Sequence, residues 1–129
     1  MKSIGSVIGK ALLVLSLSVE SALAANGDDG FAAFWTKFKA AVARSDQKAV
    51  SGMIKYPVLY IDERQEEDFP VIWKGAFGKA QRKCLAKQKP VKDTNGEGNV
   101  EYAAFCDSLI YSFGKVGADW KLTDFGEND

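Results

Sequence analysis

The chain has 129 residues, with 17 basic and 17 acidic side chains and no histidine. Balanced charge argues against a general nucleic-acid-binding protein, because such a protein presents a basic face to phosphates. Without histidine there is no histidine general base, no histidine-activated nucleophile and no histidine-rich zinc site. Glycine-rich phosphate loops of recognisable spacing are also missing. We therefore expect no metal, no cofactor and no nucleic-acid partner.

Residues 1–25 have the pattern of a secretory signal peptide. Lys2 and Lys10 give a positively charged start, residues 11–19 are mostly apolar, and residues 22–24 read A-L-A, an A-x-A cleavage site. The apolar run is shorter than the roughly 20 residues of a membrane-spanning helix, so no stable membrane span is expected after cleavage. The remaining chain, residues 26–129, has the size of a single domain. These features predict a periplasmic or secreted protein, with an uncleaved N-terminal anchor as the alternative.

The chain contains only two cysteines, Cys84 and Cys106. An exported protein folds in an oxidising compartment, so we predict a disulfide between them. Two buried free thiols are the alternative interpretation. A redox centre is disfavoured because the two residues do not form a C-x-x-C motif.

The first predicted helix covers residues 31–44. Its apolar side chains recur at i, i+3, i+4, i+7 and i+11, which places them on one face: Phe31, Phe34, Trp35, Phe38 and Val42. Asp28 or Asp29 is in position to cap this helix and to oppose its dipole. Four aromatic residues on one helix face predict that the helix covers a bent sheet.

A second, shorter helix is predicted after a break and a new cap at Ser45-Asp46. This helix must end before Pro57, because the residue preceding a proline avoids the helical region. Extended chain then follows, and residues 58–61 are predicted to form the first strand.

The middle of the chain alternates between charged and apolar segments. Residues 62–68 (DERQEED) are predicted to form a charged turn or loop, and residues 69–73 (FPVIW) a second strand, with Pro70 at its start or on an edge. Residues 75–87 have helical spacing, and residues 87–99 are predicted to be a loop because they are rich in glycine, asparagine and lysine.

The last thirty residues carry the strongest strand signal. Alternating side chains predict strands over residues 100–107 and 109–113, and residues 120–125 return as a further strand after a tight connection. Phe125 is out of phase with Trp120 and Leu122, which predicts a bulge or bend near Thr123-Asp124. Helices followed by long antiparallel strands predict an α+β fold, with N-terminal helices packed on a curved antiparallel sheet.

Two segments resemble a known superfamily. The run FWTKFKAAVARSDQKAVSGMIKYPV resembles the opening of nuclear transport factor 2-like proteins, and FGKVGADWKLTDF is similar to their last hairpin. The resemblance implies a cone, in which a bent sheet wraps around helix 31–44 and leaves a pocket at the open end. That superfamily includes isomerases, cyclases, dehydratases and non-enzymatic binding domains, and the fold does not select among them.

Our first hypothesis is an exported, non-enzymatic binding domain. It would bind a small apolar ligand in the cone or an envelope protein on the sheet. The aromatic residues expected to line the pocket are Phe34, Trp35, Phe38, Tyr60, Trp73, Tyr111 and Trp120. The open sheet face, with Tyr111, Phe113 and Trp120 in alternation, also suggests a homodimer.

Two other functions remain open. A small lyase or isomerase would use Asp107 as general base with Tyr102 or Tyr111 as hydroxyl partner. Asp107 is out of phase with Tyr102, however, and single acidic residues on strands are usually solvated. A periplasmic inhibitor or immunity-type protein would use the carboxylates of residues 62–68 to block a basic site. The basic residues in and around the third predicted helix form a further charged surface that suits an acidic partner, an anionic glycan or a lipid headgroup: Lys74, Lys79, Arg82, Lys83, Lys87, Lys89 and Lys92.

Overall fold

The computed structural model describes residues 29–128, which form an α+β fold. Its helices are α1 (Phe31–Ala43), α2 (Gln47–Gly52), α3 (Phe69–Ala76) and α4 (Lys79–Lys87), with a short 3₁₀ helix at Glu66–Asp68. Its strands are β1 (Val58–Tyr60), β2 (Asp62–Arg64), β3 (Val91–Thr94), β4 (Val100–Cys106), β5 (Leu109–Val116) and β6 (Asp119–Glu127). The predicted signal peptide, residues 1–25, lies outside the described residues.

Helix α1 forms where the aromatic periodicity predicts it. The Asp29 carboxylate accepts a hydrogen bond from the Phe31 main-chain N–H at 3.0 Å, which satisfies one of the unpaired donors of the first turn. Phe38 is fully buried and its ring lies 5.2 Å from that of Phe113 on β5, edge to face. Val42 is buried one turn further along. The apolar stripe therefore belongs to the core.

Helix α2 begins at the predicted cap. The Asp46 carboxylate accepts a hydrogen bond from the Ala49 N–H at 3.1 Å. After the helix the chain runs alongside β6: the Lys55 N–H donates to the Leu122 carbonyl at 2.9 Å, and the Leu122 N–H donates to the Met53 carbonyl at 2.8 Å. Residues 53–55 thus cover one stretch of the edge of β6.

The prediction of a strand over residues 69–73 is wrong, because this segment forms α3. Pro70 stands in the first turn of the helix, where a missing N–H costs nothing. Phe69, Ile72 and Ala76 are buried on one face. A run of five apolar residues is too short for its periodicity to distinguish a strand from a buried helix. The predicted helix over residues 75–87 is divided accordingly, with a break between α3 and α4.

Two predicted loops contain regular structure. Residues 62–64 form β2 and pair with β1, and residues 66–68 form the 3₁₀ helix. Residues 91–94 form β3, an edge strand that pairs with β4 although all four residues are exposed. Because an exposed edge strand needs only main-chain partners, its side chains carry no apolar alternation that the sequence could reveal.

The main sheet is antiparallel, with the strand order β3-β4-β5-β6. Ser112 is paired with Asp124 and Phe113 with Leu122, so Thr123 is an extra residue in β6. The predicted bulge is therefore confirmed. It returns Phe125 to the buried face that Trp120 and Leu122 already occupy.

The predicted disulfide is confirmed: Cys84 on α4 is joined to Cys106 at the end of β4, with an S–S distance of 2.10 Å. Cys106 is completely buried. The bond ties α4 to the sheet across a sequence separation of 22 residues. Within residues 29–128, no helix is long and apolar enough to cross a membrane.

Replacing both cysteines by alanine is expected to lower the free energy of unfolding by about 3 kcal/mol, because the bond restricts the unfolded chain over this loop length. Urea unfolding of the double variant and of the wild type, each with and without reductant, measures the loss. Reductant should destabilise the wild type and leave the double variant unchanged. Equal stabilities under all four conditions would contradict the prediction.

Candidate functional site

Most of the aromatic residues predicted to line a ligand pocket pack against one another. The Phe38 ring contacts those of Phe34, Trp35, Phe77 and Phe113, with centroid separations between 5.2 and 6.1 Å. Phe38, Phe77 and Phe113 are completely buried. In the described part of the chain, the centre of this cluster is therefore filled by its own side chains.

The other predicted pocket residues also have ring partners. Trp73 stacks on Phe77 at 5.3 Å, and the Arg82 guanidinium lies 5.7 Å from the centre of a Trp73 ring. Trp120 meets Tyr102 edge to face at 5.4 Å. These aromatic residues bury apolar surface and pack in the edge-to-face and offset arrangements that aromatic pairs prefer.

Asp107 and Tyr111, the predicted base and one of its predicted hydroxyl partners, have different surroundings. Asp107 is exposed and occupies the turn between β4 and β5 with a φ of 57°. The Tyr111 hydroxyl is buried and donates a hydrogen bond to the Ala76 carbonyl. Tyr102 is half-buried beside Trp120.

Electrostatics keep the Tyr111 hydroxyl in its neutral form. Burial raises the pKa of its hydroxyl above the ordinary value of 10.0, and the nearby Tyr60 and Asp107 raise it further. A general base needs a pKa near the working pH. Tyr111 is therefore a neutral hydrogen-bond donor that ties β5 to the end of α3.

An open cleft of about 720 Å³ lies at the end of the sheet where β5 begins and β6 ends. It is bordered by residues 59–61 around the β1–β2 connection, Gly75 and Gln81 of the two helices, residues 108–109, and residues 124–128. The volume falls in the range of about 300–1,000 Å³ that is typical of ligand sites. This cleft is the candidate functional site.

Tyr60 is the one predicted pocket residue that borders the cleft. Its ring packs edge to face on Phe125 at 5.3 Å, and its main-chain carbonyl accepts a hydrogen bond from the Arg64 Nε at 3.1 Å. Its hydroxyl makes no hydrogen bond with the described residues, so the hydroxyl is available to a ligand. Gly75 makes room for it: a Cβ at that position would lie 1.9 Å from the Tyr60 hydroxyl oxygen.

Apolar side chains form one wall of the cleft. Leu59 and Ile61 are 54% and 76% exposed, although both are large aliphatic residues. Leu109 is half-buried on the side of β5. An exposed apolar group beside a concave surface with a few polar groups is typical of a binding site.

The charged side chains that border the cleft are both carboxylates, Asp124 and Glu127. Burial raises the pKa of Asp124, a main-chain hydrogen bond from Phe125 lowers it, and Glu101 raises it; the net direction is upward. Glu127 is exposed. An unpaired, partly buried carboxylate favours a cation beside it, because a positive charge would offset the cost of desolvation.

The remaining surfaces that the sequence singled out lie elsewhere in the structure. The carboxylates of residues 62–68 are exposed or half-buried on β2 and the 3₁₀ helix, and the Asp68 carboxylate accepts a hydrogen bond from the Gln65 N–H at 2.8 Å. Lys79, Lys83 and Lys87 form an exposed face of α4. No cluster of three or more potential metal ligands exists within residues 29–128.

The aromatic side chains that suggested a homodimer do not lie on the surface. Tyr111 and Phe113 are completely buried and Trp120 is 8% exposed, so all three face the core. On the opposite face of the sheet, Val91 and Phe105 are exposed.

Sequence reasoning placed Tyr60 in the site but missed Asp124, Glu127, Leu59 and Ile61. The available signal was the pair Leu59 and Ile61, which alternates with the buried Val58 and Tyr60 along the chain. Comparison with known proteins adds no further residue: no family model, curated protein or solved structure matches this chain.

Gly75→Ala is expected to displace the Tyr60 ring and to lower stability by about 1–3 kcal/mol, because the added methyl group would overlap the Tyr60 hydroxyl. Thermal unfolding measures the loss. Gly52→Ala is the matched control, since its Cβ would have no neighbour within 4 Å. Adding Tyr60→Phe should restore part of the loss by removing the closest atom. An unchanged melting temperature for Gly75→Ala would contradict the described contact.

Tyr111 should make the folded state lose stability at high pH. The unfolded chain releases this proton near pH 10, whereas the folded chain holds it, so stability is complete below about pH 10 and falls by up to about 1.4 kcal/mol per pH unit above it. Urea unfolding between pH 8 and pH 11.5 measures the slope. Tyr111→Phe should be less stable at pH 8, because the Ala76 carbonyl loses its donor, and should have a shallower slope. Parallel curves for the two proteins would contradict the assignment.

Proposed function

We propose that this protein is an exported, non-enzymatic binding domain that holds a ligand in the cleft between β1 and the end of β6. The observation that carries the proposal is the composition of the cleft. Its described border has exposed aliphatic side chains, a Tyr60 hydroxyl with no hydrogen bond to the described residues, two carboxylates and no basic side chain. A ligand that matches this surface has an apolar body and a positive charge.

The residues favour binding over chemistry. Asp107 lies in an exposed turn and the Tyr111 hydroxyl donates a hydrogen bond to a main-chain carbonyl, which supports a binding role over the lyase or isomerase alternative. The described residues that border the cleft include no cysteine, lysine or arginine that would serve as nucleophile or proton donor. Orientation of a ligand by a hydroxyl and carboxylates requires none of these groups.

The proposal also includes the location of the protein and the shape of its fold. A signal peptide over residues 1–25 would deliver the protein to the periplasm or the medium, where the Cys84–Cys106 bond is stable. The nuclear transport factor 2-like resemblance supports a cone whose interior is occupied by aromatic side chains and whose open end is the cleft. The ligand site is thereby proposed at the rim rather than in the aromatic interior.

The hexylammonium ion tests the proposal as a minimal probe, with hexanoate as its charge-reversed control. Titration followed by amide chemical shifts should perturb residues 59–61, 109 and 124–127 with hexylammonium and leave them unchanged with hexanoate. Binding should weaken as the pH falls through the pKa of Asp124, because protonation removes the partner of the cation.

Asp124→Asn combined with Glu127→Gln should weaken hexylammonium binding by about fivefold, in line with two exposed ion pairs. Asp93→Asn combined with Asp119→Asn is the control, since both residues are exposed and lie outside the cleft. Equal binding of hexylammonium and hexanoate, or shifts centred on the aromatic core, would contradict the proposed site.

Native mass spectrometry of protein purified from its own compartment would reveal a retained natural ligand.

A further inference from the structure

We propose that Ile61 is the residue that determines which ligands the cleft binds, and that it does so by holding the alkyl chain of a long-chain aliphatic amine. This inference rests on the proposed function, because it takes the same cleft as the site and names both the ligand class and the residue that selects it. It is carried by the backbone conformation of Ile61, by the exposure of its side chain and by its position on the border of the cleft.

Ile61 has a backbone conformation that isoleucine rarely adopts. It is the single residue between β1 and β2, and its φ is 69°. In this left-handed region the Cβ of an L-residue crowds its own carbonyl group, and a β-branched residue is a clear outlier there. Among the described residues other than glycine, Ser45 and Asp107 also have a positive φ, but both have small polar side chains. The turn at Ile61 is therefore strained in a way that glycine would relieve.

The neighbouring residues hold Ile61 in this conformation. Strands β1 and β2 pair with each other on either side of it. The Arg64 Nε donates a hydrogen bond to the Tyr60 carbonyl at 3.1 Å, and the Tyr60 ring packs on Phe125. A strained conformation persists where its surroundings fix it in this way, and such residues concentrate at functional sites.

The Ile61 side chain contributes little to the folded state. It is 76% exposed, which is the highest value among the large apolar residues of the described chain. An apolar side chain that stays in water gains almost nothing from folding, because the hydrophobic effect acts through the area removed from water. Strain in the backbone and exposure of the side chain together indicate that Ile61 is buried by a ligand instead.

The border of the cleft indicates what kind of ligand buries Ile61. Tyr60 and Phe125 also border the cleft, but they are only 8% and 5% exposed. The exposed apolar surface on the described border is therefore aliphatic and is formed mainly by Ile61 and Leu59. An alkyl chain against these two residues would bury them, while an ammonium group at its end would meet the two carboxylates of the same cleft.

The test compares butylammonium, hexylammonium and octylammonium, with dissociation constants measured from the amide chemical shifts of the cleft residues. In the wild type the affinity should rise about twofold for each added methylene group, which is half the free energy of full burial, because the chain lies against the wall on one side only. In Ile61→Gly the affinity should rise by only about 1.3-fold for each methylene group, since Leu59 alone remains.

The same variant should be more stable than the wild type. Ile61→Gly should raise the melting temperature by about 4 °C, because glycine adopts a positive φ without crowding. Ile61→Asn provides a second variant, since asparagine tolerates the left-handed region and keeps a side chain of similar length without its apolar surface. It should also be more stable and should also lose the dependence of affinity on chain length.

Two further variants serve as controls. Ile61→Leu keeps an aliphatic side chain at this position and should keep the dependence of affinity on chain length. Val71→Ala removes an aliphatic side chain that is 46% exposed but lies outside the cleft. It should bind all three amines as the wild type does.

The outcomes separate this inference from the proposed function. Equal dependence on chain length in the wild type and in Ile61→Gly would overturn the role of Ile61 and leave the cleft as a cation site. A lower melting temperature for both Ile61→Gly and Ile61→Asn would also overturn it, because the side chain would then serve the fold. Absence of binding of all three amines to the wild type would overturn both proposals.

Discussion

The bulge at Thr123 is the constraint on which the rest of the structure depends. With strict alternation, Trp120 and Leu122 would face the core and Phe125 would face solvent. The extra residue reverses the phase after Leu122, so that Phe125 joins the core and meets Tyr60 and Tyr111 edge to face. Without that reversal the end of the sheet would lose its apolar cover, and the wall of the cleft would lose its support.

Most of the aromatic residues lie in the core, and Tyr60 lies at the border of the cleft. Phe38 and Phe113 lie where several rings converge and leave no room for a ligand among the described side chains. Tyr60 stands at the boundary, with one ring edge on Phe125 and its hydroxyl beside Gly75. The polar tip of one aromatic residue thus reaches the candidate site, while its body contributes to the core.

Apolar side chains and carboxylates border the same cleft. Residues 53–55 bond to β6 at Leu122, and Tyr60 of β1 packs on Phe125 further along β6. The disulfide of Cys84 and Cys106 fixes α4 against β4. Walls that are packed in this way are held in place before a ligand arrives, which reduces the entropy cost of binding.

By itself the sequence determined the features that depend on local periodicity and composition. These include helix α1, the cap at Asp46, the long strands β4 to β6 and the bulge, because each is visible as a pattern of residue types within a few positions. The disulfide is included because the chain has only two cysteines. The sequence also named Tyr60, which borders the candidate site, as one member of a larger aromatic set.

Only the tertiary structure decided the remaining features. FPVIW becomes helix α3 because its buried face and its first-turn proline suit a helix in this position, and β3 exists only because β4 offers a partner. The cleft depends on the meeting of Tyr60, Gly75 and the end of β6, which are far apart in the chain. No local pattern encodes such a meeting, because it arises from the packing of elements whose relative positions the core sets.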